Sequence, residues 1–268
     1  MRRVLILVIF IILVCNAAFA QVFRFGVPNL ELYDKQRFHA GFSLGIDIVD
    51  VNIKTRTNYS SPDISPENKL LQIYSKASPA FNVGIVANMR LGEYFDLRFI
   101  PGFSIAHDIN LYYRFEHKMT DPNPSVSGVL SNEILRKIEC HFINFPLFIK
   151  FKSSRMHNVR IYALAGAQVG VNMMSAKNNK IILKDQNVVI PVIKPYDVQV
   201  KGGFGFDFYT TYFKFSTEFK VSYGVINMLE NEKGIRDKEH IDAYLSSATV
   251  RGLKSLKSKT FTISFTFE

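Results

Sequence analysis

The chain has 268 residues, a formal net charge of +10, 13% aromatic residues that include 24 phenylalanines and no tryptophan, and two cysteines. That length is enough for one large domain or two small ones. So few cysteines exclude a disulfide-stapled scaffold and a cysteine-based zinc site.

The chain begins "MRRVLILVIFIILVCNAAFAQ". Two arginines, an apolar run from Val4 to Val14 and a small-x-small site at Ala18-Phe19-Ala20 form the pattern of a secretory signal peptide, residues 1–20, with Gln21 the first mature residue. Acylation of Cys15 is the competing reading, but branched Val14 stands where such signals use a small residue. Loss of Arg2 and Arg3 lowers the charge from +10 to +8, still basic. In an exported protein this points to anionic lipid headgroups or acidic partners and not to nucleic acid. Residues 21–36 form a short periplasmic segment, and Cys140 is the one mature cysteine. After Ala20 no apolar run reaches the length of a membrane helix, so the protein is either soluble in the periplasm or an outer-membrane barrel.

Eight segments with period-two alternation follow, each long enough for a tilted transmembrane strand. The first, "RFHAGFSLGIDI", sets Phe38, Phe42, Leu44, Ile46 and Ile48 against Arg37, His39, Ser43 and Asp47. The second is "AFNVGIVANMR", and the third, "EYFDLRFIPGFSIA", contains Pro101, which predicts a local kink. "IECHFINFPLFIKFK", "VRIYALAGAQVGVNM", "DVQVKGGFGFDFY" and "TYFKFSTEFKVSY" come next. The eighth, "SKTFTISFTFE", ends the chain and alternates Phe261, Ile263, Phe265 and Phe267 with Thr260, Thr262, Ser264 and Thr266.

The connections alternate strictly: long (49–79), short (91–94), long (107–134), short (153–158), long (174–197), short (210–211), long (224–258). Such alternation is expected of an outer-membrane barrel with short periplasmic turns, long extracellular loops and both termini periplasmic. The fold class is therefore all-β: an eight-stranded antiparallel up-and-down barrel over residues 37–268, apolar faces outward. Eight strands leave an interior that side chains just fill. Arg37, Asp47, Arg98, Arg160, Lys201, Asp207, Lys214, Glu218 and Lys220 are the candidate lumen charges, which must pair because a lone buried charge is costly. Glu268 reads as a residue of the periplasmic rim.

Catalytic, cofactor and metal motifs are missing from this pattern. "GGFGFDF" lacks the third glycine and following helix of a dinucleotide fingerprint. The six histidines are scattered. His39 and Ser43 share a face but stand four residues apart, about 13 Å along a strand, too far for direct activation in a lipid-modifying enzyme.

The blocks "RLGEYFDLRFIPGFS", "INFPLFIKFKSSR", "NVRIYALAGAQVG" and "KGGFGFDFYTTYFKFSTEFKVSYG" resemble the PorT family within the outer-membrane beta-barrel superfamily. The resemblance runs from about residue 29 to the C-terminus. It implies a non-enzymatic component of the type IX secretion system, required for protein export across the outer membrane and for gliding motility where that occurs. The partners it implies are other secretion components, including a larger translocon barrel. A stand-alone barrel acting as narrow channel or adhesin is the alternative, and a lipopolysaccharide-modifying enzyme a minor one.

Arg251, Lys254, Lys257 and Lys259 enter the last strand from the loop side and are the candidate lipopolysaccharide contacts, against the bland reading of a solvated loop end. Ile241, Tyr244 and Leu245 fall at helical spacing in the preceding loop.

Overall fold

The computed structural model describes residues 29–56, 68–118, 129–175, 191–230, 250 and 252–268. The expected signal peptide at residues 1–20, Arg251 and the helical spacing at residues 241–245 lie outside the described residues.

Among the described residues there are twelve strands: β1 (Phe38–Thr55), β2 (Asn68–Lys76), β3 (Ser78–Arg90), β4 (Phe95–Phe99), β5 (Gly102–Ile105), β6 (Ile109–Lys118), β7 (Val129–Ile138), β8 (Phe142–Lys152), β9 (Val159–Asn172), β10 (Tyr196–Tyr209), β11 (Lys214–Gly224) and β12 (Leu253–Phe267). Nine of them form one antiparallel sheet that closes on itself, because β1 pairs with β12 on one side and β3 on the other. β4 and β5 are two halves of one strand, both between β3 and β8, so the ring has eight staves. The break falls at Pro101, as a residue without an amide donor requires. Its carbonyl still accepts from Ile85 N at 2.9 Å.

The wall is inverted relative to a water-soluble protein. Phe42, Ile46, Ile85, Ile149 and Phe204 are 46–68% exposed, while Arg98, Lys150 and Glu218 are fully buried. The exposed apolar face of β1 runs ten residue steps, from Phe38 to Ile48. At about 3.3 Å per residue that is ~33 Å of strand, which a tilt of about 40° reduces to the ~25 Å apolar band of an outer-membrane barrel. Closure also removes every sheet edge from the lipid.

Three strands fall where long loops were expected. β2, β6 and β7 form a separate antiparallel sheet in the order β2-β6-β7. Its inner face contributes Leu70, Ile73, Ile109, Leu111, Tyr113 and Ile138 to an apolar cluster with Val51, Phe142, Ile193, Met228, Leu253 and Leu256. This cluster covers the end of the barrel opposite the termini. The same end lengthens the staves: β1 continues to Thr55 and β12 begins at Leu253, five residues before the expected start.

Candidate functional site

The lumen is where most of the predicted charged residues meet, and it has two unlike ends. Near the termini, Glu218 of β11 sits at the centre of a dense network. It accepts from Arg98 of β4, from Lys220 Nζ at 2.7 Å, from Tyr162 Oη at 2.8 Å and from Ser264 Oγ at 3.2 Å. Gly205 makes the Tyr162 contact possible: a Cβ there would lie 2.5 Å from the Tyr162 ring. Arg98 bridges onward to Glu268 at 2.7 Å, and Glu268 also takes Lys214 Nζ at 2.6 Å. Lys150 pairs with Asp207 at 2.8 Å and Lys152 with Asp96 at 2.6 Å. Every one of these ions is charge-compensated at hydrogen-bond distance, the condition for keeping it out of water.

Further from the termini the lumen loosens. Asp47 accepts from Thr262 Oγ1 at 2.5 Å, and Asp197 accepts from Ser258 Oγ and Gln199 Nε2 at 2.6 and 2.7 Å. Asn144, Ser104 and Gln168 are linked in a neutral chain. Between them lies a cavity of about 50 Å³, lined by Asp47, Asn82, Gln168, Lys201, Lys220 and Thr262 among others. It is polar and has room for a few water molecules.

The terminal end is closed by the chain's own N-terminal segment. A short 3-10 turn at Tyr33–Lys35 lays Asp34 against Arg160, which grips it through two nitrogens at 2.8 and 3.1 Å, and Tyr209 Oη donates to the same carboxylate at 2.9 Å. Burial opposes ionisation of Asp34, but Arg160, Tyr209 and Arg155 outweigh it and hold the carboxyl below its usual range. Tyr33 Oη donates to Glu268 at 3.1 Å, and burial, reinforced by that carboxylate, pushes the phenol up. His39 stacks on the Tyr33 ring and its Nε2 bonds the Tyr33 carbonyl at 2.8 Å. His39 is thus engaged by the segment and remote from Ser43, which is paired with Thr266 in the β1–β12 ladder.

Sequence reasoning missed several of these residues and misplaced one. Arg37 is exposed at the terminal end, with its guanidinium 6.0 Å from the Phe38 ring, because it precedes the strand and is not in the lumen. Glu268 lies at the terminal end, past the end of β12, but its side chain is buried and turned into the lumen. β12 packs between β1 and β11, which carries Glu268 inward beside Arg98 and Lys214. Asp96, Lys150 and Lys152 had the right parity on their strands and were left out of the charge count.

Of the basic cluster, Lys257 and Lys259 share the outer face of β12, immediately above Phe261. Lys257 lies 5.8 Å from the Tyr223 ring. Lys54 of β1 joins them, opposite Ser255. Lys254 sits beyond, where the register between β1 and β12 shifts, and is exposed.

A closed ring of eight tilted staves, apolar outside and ionic inside, defines the class of transmembrane outer-membrane barrels. The family model described as "Outer membrane protein beta-barrel domain" matches residues 19–230, most of the chain, and the protein belongs to that family. Among solved structures, the crystal structure of Neisserial surface protein A is similar at 9% identity and a TM-score of 0.36, over 86% of this chain and 98% of that one. No curated protein matches.

Proposed function

We propose that this outer-membrane barrel is a non-enzymatic assembly or structural component of the type IX secretion machinery, with its termini and short connections in the periplasm and its long connections outside. The observation that carries the non-catalytic part is the lumen. Its ions are bonded to one another at the terminal end, residues 29–36 lie across that end, and an apolar cluster lies across the other. A barrel filled in this way acts through its lipid-facing wall, its loops or its ends. The secretion role rests on the resemblance of the strand blocks to the PorT family, and the mechanism is lateral docking onto a larger translocon barrel.

The asymmetry of the connections supports the orientation: residues 91–94, 153–158 and 210–213 are short turns beside the termini, and the longer connections leave the staves from the other end. In that orientation Arg251, Lys254, Lys257 and Lys259 are contacts for lipopolysaccharide phosphates.

Deletion of the gene is expected to leave secreted cargo in the periplasm, with recovery on complementation. Normal export in the deletion strain would remove the secretion role. Steady single-channel conductance in planar bilayers would instead favour the narrow-channel alternative.

A further inference from the structure

The outer face of the β2-β6-β7 sheet is built in three tiers. Gln72, Arg114 and Glu133 stand side by side, then Tyr74, Tyr112 and Leu135, then Lys76, Asn110 and Lys137. The Tyr74 and Tyr112 rings stack at 5.3 Å and 14°. Lys76 Nζ lies 4.2 Å from the Tyr112 centroid, and Arg114 Cζ lies 5.8 Å from that of Tyr74. An aromatic and aliphatic tier thus separates a far tier that carries Arg114 beside Glu133 from a near one that carries Lys76 and Lys137.

The charges here are unlike those in the lumen. Lys137 is occupied by Asp108 at 3.0 Å, which raises its pKa, and Arg114 reaches Glu133 only at 3.9 Å with both side chains partly exposed. Among the described residues Lys76, Lys54, Lys257 and Lys259 have no carboxylate within ion-pair distance, although almost every buried lysine in the protein does. All four lie just past the apolar band. Lys259 faces Asp50 one outward step beyond Ile48 and Phe261, Lys257 faces Asn52, and Lys76 precedes Ser78, which pairs with Val49.

We propose that this sheet face is a docking surface for the phosphorylated saccharide head of lipopolysaccharide in the surrounding leaflet. The proposal rests on the outward orientation of this end and not on the secretion role. With strands ~4.8 Å apart and tiers ~7 Å apart, the face measures about 10 by 14 Å, the footprint of two sugar rings. Sugar C–H faces pack on the tyrosines and Leu135, while Arg114 and Lys76 at the far and near tiers take phosphates through charge-assisted hydrogen bonds. Charge complementarity selects this occupant: Lys76 on this face, and Lys54, Lys257 and Lys259 on the adjoining staves, are cations with no carboxylate within ion-pair distance among the described residues, and the nearest surface to them is the anionic headgroup layer.

The test uses the full mature protein in nanodiscs, with binding followed by native mass spectrometry against bisphosphorylated lipopolysaccharide, its dephosphorylated form, phosphatidylglycerol and inorganic phosphate. Lipopolysaccharide is expected to bind the wild type. Lys76→Gln with Arg114→Gln should weaken binding at least tenfold, and Tyr74→Ala with Tyr112→Ala similarly, while Tyr74→Phe with Tyr112→Phe retains it and heat-modifiability certifies the barrel in each. Dephosphorylation should remove the effect of the cation variants. Unchanged binding in folded cation or alanine variants would overturn the proposal. So would equal binding of phosphatidylglycerol or inorganic phosphate, or preferential capture of an acidic protein.

Discussion

The staves β1 and β12 run from the wall of the barrel into the cap above it, and follow opposite rules in the two. Along the inner face of β1, Ser43, Gly45 and Asp47 give way to Val49 and Val51, while the outer face passes from Phe42, Leu44, Ile46 and Ile48 to Asp50, Asn52 and Lys54. β12 does the same in the other direction: Ser264, Thr262, Thr260 and Ser258 inside are replaced by Leu256, and Phe265, Ile263 and Phe261 outside by Lys259 and Lys257. Where the surroundings are lipid, apolar residues face out because there is nothing to gain by hiding them, and polar groups pair inside. Where the surroundings are water the hydrophobic effect is restored and the apolar side turns inward. The inversion at Ile48 and Val49 therefore marks the level at which the solvent changes.

The most disruptive way to break this contrast is to strip the lumen of its central anion. Glu218→Ala leaves Lys220 without a partner and Arg98 with only Glu268. The expected loss is about 3–5 kcal/mol, typical of breaking a buried ion pair. Urea unfolding in detergent micelles, read by the heat-modifiable band, measures it, and a variant as stable as the wild type would show that the ions are not mutually dependent.

The cap should respond like a soluble core. Leu111 is fully buried in it, and Leu111→Ala should cost about 2–4 kcal/mol through lost burial and the cavity left behind. Hydrogen exchange should show that loss in β2, β6 and β7 while the staves remain protected. Equal loss of protection through both regions would mean that they unfold as one unit.

Two substitutions on one face of β1 locate the boundary. Ile46→Arg places a cation inside the apolar band and should cost about 2–4 kcal/mol. Asn52→Arg, beyond the inversion, should change stability by less than about 0.5 kcal/mol, as for an ordinary surface site. Similar costs at both positions, measured by folding into lipid vesicles, would move the boundary or erase it.

How much of this was legible follows from the same physics. The eight staves announce themselves because alternation between lipid and a packed lumen is uninterrupted from Phe38 to Ile48 or from Thr260 to Phe267, and Pro101 marks its own break. The cap strands announce themselves poorly. In β2 the irregularity between Leu70 and Gln72 puts Leu70, Leu71 and Ile73 out of step, and in β7 Ile134 and Leu135 are adjacent. β6 does alternate, with Ile109, Leu111 and Tyr113 turned to the core, and was passed over because it lay inside an expected loop. The lumen charges on strands were recoverable from parity. Glu268 shares the parity of Thr266 and Ser264 and was recoverable in the same way, although it lies one place past the end of β12.

The smallest effect concerns the N-terminal segment that closes the terminal end. Asp34 carries the contacts to Arg160 and Tyr209 and is partly exposed, so Asp34→Asn should cost no more than about 1 kcal/mol. Its folded-state pKa is depressed, so the stability it contributes is present above the unfolded value of 3.8 and is lost as pH falls through the lower folded value. Proteolysis within residues 29–36 should therefore accelerate on acidification below about 3.8 in the wild type. The asparagine variant should be cleaved faster at neutral pH and lack that acceleration. The barrel itself should stay intact throughout, because Tyr33, Asp34 and Asn29 lie outside the ladder of the ring. If the segment and the staves lost protection together, residues 29–36 would be an integral part of the barrel and not a strap across its end.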